Sequence, residues 1–291
     1  MPDTRAGPPS WQTVVLTAVA LLAFAANSLL CRLALQQGEI DPASFGSIRL
    51  VSGAIMLAVI VRCRSPHTAP GPANWLAASM LFAYVAFFSF AYLSLPAGTG
   101  ALILFGAVQL TMFSAGLRAG ERFSVIAWIG LALAVAGLVY LVSPGVAAPP
   151  LWGAALMAIA GVAWGVYSLL GRGVADPLAT TAGNFARALP FALVLSLLRV
   201  AQAHTNAAGV ALAMASGALT SGLGYVLWYA ALRQLSALRA ATVQLSVPLI
   251  AALGGVVLLS EAITPRLVAA SAAILGGIAL VLTSRSQPPR P

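Results

Sequence analysis

The chain has 291 residues, 60% of them hydrophobic and only 7% charged, with a mean hydropathy of +0.96. A soluble domain carries about 25% charged residues, so this chain has too little polar surface to cover a water-soluble fold, and most of it is expected to face lipid. The net charge of +9 rests on 15 basic residues, all arginine; they punctuate apolar runs and form no basic face interleaved with aromatics, which argues against a nucleic-acid surface.

A bilayer core about 30 Å thick takes roughly 20 apolar residues per spanning helix. The arm MPDTRAGPPS precedes the first predicted span, 11–35. That run is too long for a signal-peptide core and lacks a small-residue cleavage site, so it reads as a helix of the mature protein. It holds Asn27 and Ser28 and ends in NSLLCRLA. The turn QQGEIDP leads into the second span, 42–61, which contains Arg49. After SPHTAPGP comes the third span, 74–94, where Tyr84, Phe88 and Tyr92 recur every fourth residue and share one helix face. LPAGTG opens the fourth, 98–117, with Gln109. Glu121 precedes the fifth, 124–142, which ends at SPGVAAPP. The sixth, 151–170, carries Trp164 and Tyr167 on a face shared with Gly171. GVADP introduces the seventh, 178–198, with Arg187 inside it. The eighth, 208–231, has Tyr225, Trp228 and Tyr229. The ninth, 238–259, has Gln244, Ser246 and Pro248; Glu261 precedes the tenth, 265–283, and residues 285–291 read as a disordered tail. The breaks are built from Gly, Pro, Asp and Ser, the residues of turns. The fold class is thus an all-α polytopic membrane protein of ten transmembrane helices, with loops too short to hold a soluble domain.

The chain is also written twice. At an offset of 140 residues, Ser28, Leu29, Leu30 and Arg32 match Ser168, Leu169, Leu170 and Arg172. The same offset carries Leu95 to Leu235, Ala101 to Ala241, Glu121 to Glu261 and Gly137 to Gly277; with a local shift, Asp41-Pro42 matches Asp176-Pro177 and Arg49 matches Arg187. Charged matches are informative where so few residues are charged. Each half, 11–143 and 150–284, holds five spans, and an odd number makes the second copy cross the membrane in the opposite sense, an inverted repeat of the kind common in secondary transporters. Arginine placement sets the orientation. With the chain start in the cytoplasm, Arg5, Arg62, Arg64, Arg118, Arg122, Arg172, Arg233, Arg239, Arg285 and Arg290 fall inside, and only Arg32, Arg199 and Arg266 fall outside. Both chain ends are therefore expected to be cytoplasmic.

Four stretches carry a family resemblance: FAANSLLCRLAL; DPASFGSIRLVSGAIML; LRAGERFSVIAWIGLALAVAGLVYLV; and QLSVPLIAALGGVVLLSEAITPRLVAASAAILGGIALVLT. In order, spacing and duplication the chain resembles the drug/metabolite transporter superfamily, in particular its EamA-type members with ten helices in two repeats. The resemblance implies an exporter in a bacterial inner membrane, with amino acids, drugs and other metabolites as the substrate range. One branch, the YddG type, exports aromatic and other amino acids. The family often carries Pro in the penultimate helix of both halves. Pro248 is there, but the equivalent position of the first half is Val108, beside Gln109.

The candidate residues read as follows. Arg49 and Arg187 are the most expensive, since a central Arg costs about 2.5–3.5 kcal/mol on insertion scales. They serve either structure or gating, and a salt bridge to Asp41 or Asp176 is conceivable. Glu121 and Glu261 read as charges that favour the N-terminal dipole of the helix that follows each, or as gate residues. No Asp or Glu lies inside a span, which weakens carboxylate-based proton coupling and keeps facilitated diffusion open. Substrate contact then falls to Asn27, Tyr84, Phe88, Gln109, Trp164, Tyr167, Tyr229 and Gln244, with Arg49, Arg187 and Pro248 as gating or structural positions. Trp11, Trp75 and Trp152 stand at span ends as an interface belt. The pairs Gly161-x-x-x-Gly165 and Gly116-x-x-x-Gly120 suit close helix approach. Cys31 and Cys63 have no metal spacing or disulfide framework, and His67 and His204 fall in loops. An intramembrane enzyme would need a cluster of nucleophile, base or metal ligands; none is seen, so no catalytic residue, metal or cofactor is expected. The partners expected are a small-molecule substrate and the lipid bilayer, with the chain working as a monomer. A lipid flippase or receptor-like helical protein is the remaining alternative.

Overall fold

The structure is a computed structural model that describes residues 10–64, 74–172, 174–235 and 237–283, without the side chains of Ala237 and Leu238. Arg5, His67, Arg285, Arg290, the whole 65–72 turn and the tail at 285–291 lie outside the described residues.

The described residues form ten apolar helices: α1 (Trp11–Gln36), α2 (Pro42–Arg64), α3 (Trp75–Ala91), α4 (Ala97–Arg118), α5 (Val125–Val142), α6 (Leu151–Leu170), α7 (Pro177–Leu198), α8 (Ala207–Leu232), α9 (Arg239–Leu259) and α10 (Pro265–Thr283). Among the described residues, all but the 17-residue α3 are long and apolar enough to cross a membrane. The helix α3 stops earlier than its apolar run because Leu93 and Ser94 bond back three residues, to Phe90 and Ala91, tightening the chain into the turn before Pro96.

Local sequence explains the helix starts. Asp41 accepts from the backbone N–H groups of Ala43 and Ser44 at 3.0 Å, and Pro42 stands first in α2. Asp176 does the same for Leu178 and Ala179 at 3.0 and 3.1 Å, with Pro177 first in α7. A carboxylate cap followed by a proline whose missing N–H is not needed is a strong helix start. Ser10, Asn74, Ser124 and Asn206 cap α1, α3, α5 and α8.

The helices alternate in direction. The α1–α2 and α7–α8 connections meet in a short antiparallel bridge between Ile40 and Thr205, with Asp41 N–H donating to the His204 carbonyl at 3.0 Å. At the same face Glu261, in the α9–α10 connection, reaches the start of α4, and Arg266 reaches the Ser143 carbonyl at the end of α5. The contacts between helices are reciprocal. Exchanging each helix with the one five places on turns the α3–α6 contact into α8–α1, α4–α6 into α9–α1 and α2–α8 into α7–α3; it leaves α2–α7 and α5–α10 as they are.

Small residues set the closest approaches. A Cβ on Gly161 would lie 2.6 Å from the Leu104 carbonyl oxygen, and one on Gly165 would lie 2.8 Å from Thr111 Cβ, so this pair seats α6 on α4. The pair Gly116-x-x-x-Gly120 does something else. Gly120 has φ +81, and the N–H groups of Gly120 and Glu121 bond to the Leu117 and Gly116 carbonyls. That is a C-terminal cap, not a helix–helix seam. Leucine and valine side chains exposed along the outer helix faces, with Trp11 and Trp152 exposed near the helix ends, suit a lipid surroundings.

The helices α8 and α9 depart from regular geometry. Residues Ala215–Leu223 of α8 are π-helical, and α9 is interrupted at Leu245. Pro248 accounts for the second departure: it has no N–H for the Gln244 carbonyl four residues earlier, and its ring crowds that carbonyl.

Candidate functional site

A cavity of about 790 Å³ lies between the two halves. Its inner wall is built from Phe24, Phe105, Val108 and Gln109 on the first half, and from Trp164, Tyr167, Thr181, Asn184, Tyr225, Trp228, Tyr229 and Gln244 on the second. Arg172, Asp176, Asn74 and Leu232 line its mouth, at the face where α1 begins and α10 ends. The size falls within the range of small-molecule pockets.

Of the residues named from the sequence, Gln109, Trp164, Tyr167, Tyr229 and Gln244 line this cavity. Asn27, Tyr84, Phe88, Arg49, Arg187 and Pro248 do not. Asn27 is buried and turned to α8, where its amide oxygen accepts from Ser216 at 2.6 Å and Thr220 at 3.0 Å while its NH2 donates to Ser221 at 3.3 Å. Tyr84 and Phe88 flank Arg49, whose guanidinium carbon stands 5.1 Å from each ring centroid. Arg49 is 1% exposed; its Nη2 donates to the Tyr84 hydroxyl at 3.1 Å and its Nε to Ser221 Oγ at 3.3 Å. Arg49 has neutral partners and does not reach Asp41; among the described residues Arg32–Glu261 forms an ion pair, and both aspartates serve as helix caps. The half-buried Arg187 folds back along α7 over Gly183. Pro248 is buried in α9 beside the break at Leu245.

Sequence reading missed Ser216, Thr220 and Ser221, and the cavity residues Thr181 and Asn184. Thr181 and the Tyr229 hydroxyl lie 3.0 Å apart. The signal was present as a small-polar run, ASGALTSGL, inside an apolar helix, but ordinary α-helical spacing does not bring Ser216, Thr220 and Ser221 together as the wider π turn does.

Aromatic rings roof the cavity at its blind end. Trp164 stacks on Tyr225 at 5.7 Å with 13° between planes, and Tyr84 rests on Trp164 at 4.9 Å. Phe24 packs on Tyr225 and Trp228.

Beyond that roof the protein is closed. Glu261 accepts from the Ala97 N–H with both carboxylate oxygens, at 2.8 and 3.1 Å, and from Arg32 Nε at 3.3 Å. Arg32 Nη1 in turn donates to the Tyr92 and Leu93 carbonyls at 3.0 and 3.2 Å. The carboxylate therefore faces the N-terminal dipole of α4, and the guanidinium holds the last turn of α3. The expectation that Glu261 serves the helix following it is corrected: its partner is a helix of the other half. Under this clamp α4 and α9 touch, since a Cβ on Gly98 would lie 2.6 Å from Ala252 Cβ. Toward the mouth the same helices part, and Gln109 and Met112 face Ala240, Ala241 and Gln244 across the cavity.

The repeat places an equivalent clamp at the open face. Arg172, Glu121, Leu232, Arg233 and Ala237 match Arg32, Glu261, Tyr92, Leu93 and Ala97 at the 140-residue offset. There Arg172 reaches the Met112 sulfur at 3.5 Å instead, and Glu121 is exposed and takes part in no ion pair among the described residues. Glu121 and Glu261 are nevertheless presented by the same device, a left-handed residue at the helix end: Gly120 at φ +81 and Ser260 at φ 55.

The sequence profile of the EamA-like transporter family matches residues 11–143 and again 151–283. An uncharacterized protein of Pseudomonas aeruginosa is 54% identical over 285 residues, 98% of this chain and 97% of the relative. An uncharacterized transporter of Archaeoglobus fulgidus is 27% identical over 265 residues, 86% of this chain and 90% of that protein. A solved crystal structure shares the fold with a TM-score of 0.65 and 19% identity, over 92% of this chain and 96% of that one.

Proposed function

The chain belongs to the EamA-like transporter family, and from that premise we propose that it exports small metabolites, amino acids with aromatic side chains among them, by alternating access through the cavity between its halves. The observation that carries this reading is the unequal state of two equivalent clamps. Glu261 and Arg32 hold one face shut, while Glu121 and Arg172 stand apart at the other. In an inverted repeat each half can adopt the other's arrangement at little net cost, so the same contacts are expected at the opposite face in the second state. The arginine distribution supports an open mouth facing the cytoplasm from a bacterial inner membrane; on that reading this is the state that loads substrate for export.

The aromatic roof and the amides of Gln109, Gln244 and Asn184 suit a substrate with an apolar body and a small number of hydrogen-bonding groups. The cavity is lined by residues of one chain, which supports the monomer as the working unit. No carboxylate within the spans is available to carry a proton, and transport follows the substrate's own gradient. The test is counterflow of labelled amino acids in proteoliposomes across a panel, with and without a proton gradient. Aromatic amino acids are expected to move at a rate that the proton gradient leaves unchanged within about two-fold. Replacing Trp164 or Gln109 by Ala is expected to lower the rate or shift selectivity. Failure of every amino acid to move would overturn the substrate assignment.

A further inference from the structure

Arg49 sits roughly two turns into α2, about 10 Å along the helix from Pro42. Among the described residues it is the largest fully buried side chain. A charge at this depth normally has a counter-ion. Here the partners of Arg49 are neutral: the Tyr84 hydroxyl, Ser221 Oγ and the faces of Tyr84 and Phe88. Nη1 is buried and has no hydrogen-bond partner at all. Two further contacts join Arg49 to the cavity: Tyr84 rests on Trp164, and Trp164 stacks on Tyr225. The guanidinium therefore lies behind the aromatic roof, with the rings of Tyr84 and Trp164 between it and the cavity's blind end. The cavity wall itself has an acceptor to spare, since Asn184 Oδ1 is buried without a partner.

We propose that Arg49 is the anion subsite of the pathway, taking the carboxylate of a bound substrate on Nη1 when the rings of Trp164 and Tyr225 part. The proposal rests on the transport reading above and adds the end of the substrate that is read. A buried cation with one nitrogen unsatisfied and no protein anion to satisfy it has its missing partner supplied from outside the chain. Before contact its field reaches the blind end of the cavity through aromatic side chains, a poorly screening medium, and orients a carboxylate inward. Asn184 is then placed to accept from an ammonium or hydroxyl on the same substrate. Because the guanidinium also bonds Ser221 on the π-helical part of α8, filling the subsite is felt by α2 and α8 together.

The experiment compares acids with their amides on the purified protein. Thermal stabilisation and inhibition of counterflow are measured for phenylalanine against phenylalaninamide, and for 3-phenylpropionate against 3-phenylpropionamide. The acid of at least one pair is expected to act at about ten-fold lower concentration than its amide, the discrimination of one charge-assisted hydrogen bond. In Arg49→Gln that ratio is expected to fall to about one through loss of acid affinity alone, the amide's own affinity holding within about two-fold. A purely structural Arg49 would weaken both members of a pair equally. If Arg49→Gln does not fold, Arg49→Lys decides: it keeps the charge but not the fork, and its ratio is expected to lie between one and that of the unaltered protein. Equal action of acid and amide in every pair, or an unchanged ratio in the variant, would overturn the proposal. A preference confined to the phenylpropionate pair would keep the subsite while refuting amino acids as substrates.

Discussion

Asp41 and Asp176 show what a single residue contributes here. Each opens an Asp-Pro pair, each caps the helix that follows, and they do so at opposite faces. Asp41 carries more than its counterpart, because its second oxygen also accepts from the His204 N–H at 3.1 Å, tying the α1–α2 connection to that before α8. Burial opposes ionisation of Asp41, but the hydrogen bonds from Ser44, His204 and Ala43 outweigh it and hold the carboxyl below its usual range. A group whose pKa is lowered by folding stabilises the fold above its unfolded value, about 3.9, and loses that contribution as pH falls through the folded value. Thermal unfolding in detergent is therefore expected to show a fall in stability below about pH 4 that is absent in Asp41→Asn, with the two proteins differing by a constant amount at neutral pH. Identical pH profiles would show that Asp41 does not carry this term.

At the scale of the helix, α8 is the element where local geometry and function meet. Its π-helical stretch turns Ser216, Thr220 and Ser221 toward Asn27 and Arg49. Gly217 makes that approach possible: a Cβ there would collide with Ser52 Oγ and the Arg49 carbonyl. Gly217→Ala is expected to destabilise by about 1–3 kcal/mol, the usual cost of overpacking, and to impair transport through displacement of Arg49. Gly276 meets nothing within 4 Å of an added Cβ, so Gly276→Ala is neutral or stabilising by up to about 1 kcal/mol. Unfolding temperatures of the two variants check the contrast. The broken α9 is a second irregularity, and it traces to one residue, Pro248.

For the whole molecule the central quantity is the balance between the two faces. The Glu261 clamp consists of charged hydrogen bonds, each worth about 1.5–3 kcal/mol, so Glu261→Gln is expected to shift the population toward the opposite state by about ten-fold or more. A cysteine pair, Glu121→Cys with Ala237→Cys, in a background lacking Cys31 and Cys63, reports on that state. Cross-linking is expected to be weak in the otherwise unaltered protein, to rise when Glu261→Gln is added, and to arrest transport. Absence of cross-linking in both would mean that the clamps do not exchange.

The sequence by itself determined the helix count, the turns, the twofold writing of the chain and the matched Asp, Arg and Glu positions. All of these depend on hydrophobic run length and local chemistry, which neighbours in sequence carry. It also picked out Gln109, Trp164, Tyr167, Tyr229 and Gln244, because polar and aromatic groups in an apolar helix are expensive wherever they face. Which way each one faces was not legible. Asn27, Tyr84 and Phe88 had the same credentials, yet they surround the buried cluster around Arg49 and lie off the cavity wall. Only the tertiary structure decided that, and only it showed Glu261 serving a helix of the other half and Arg49 left with a bare nitrogen. Matched Arg and Glu residues of the two halves hold different contact sets at the two faces, so the asymmetry that defines the open mouth is a property of the packed state that those residues alone do not carry.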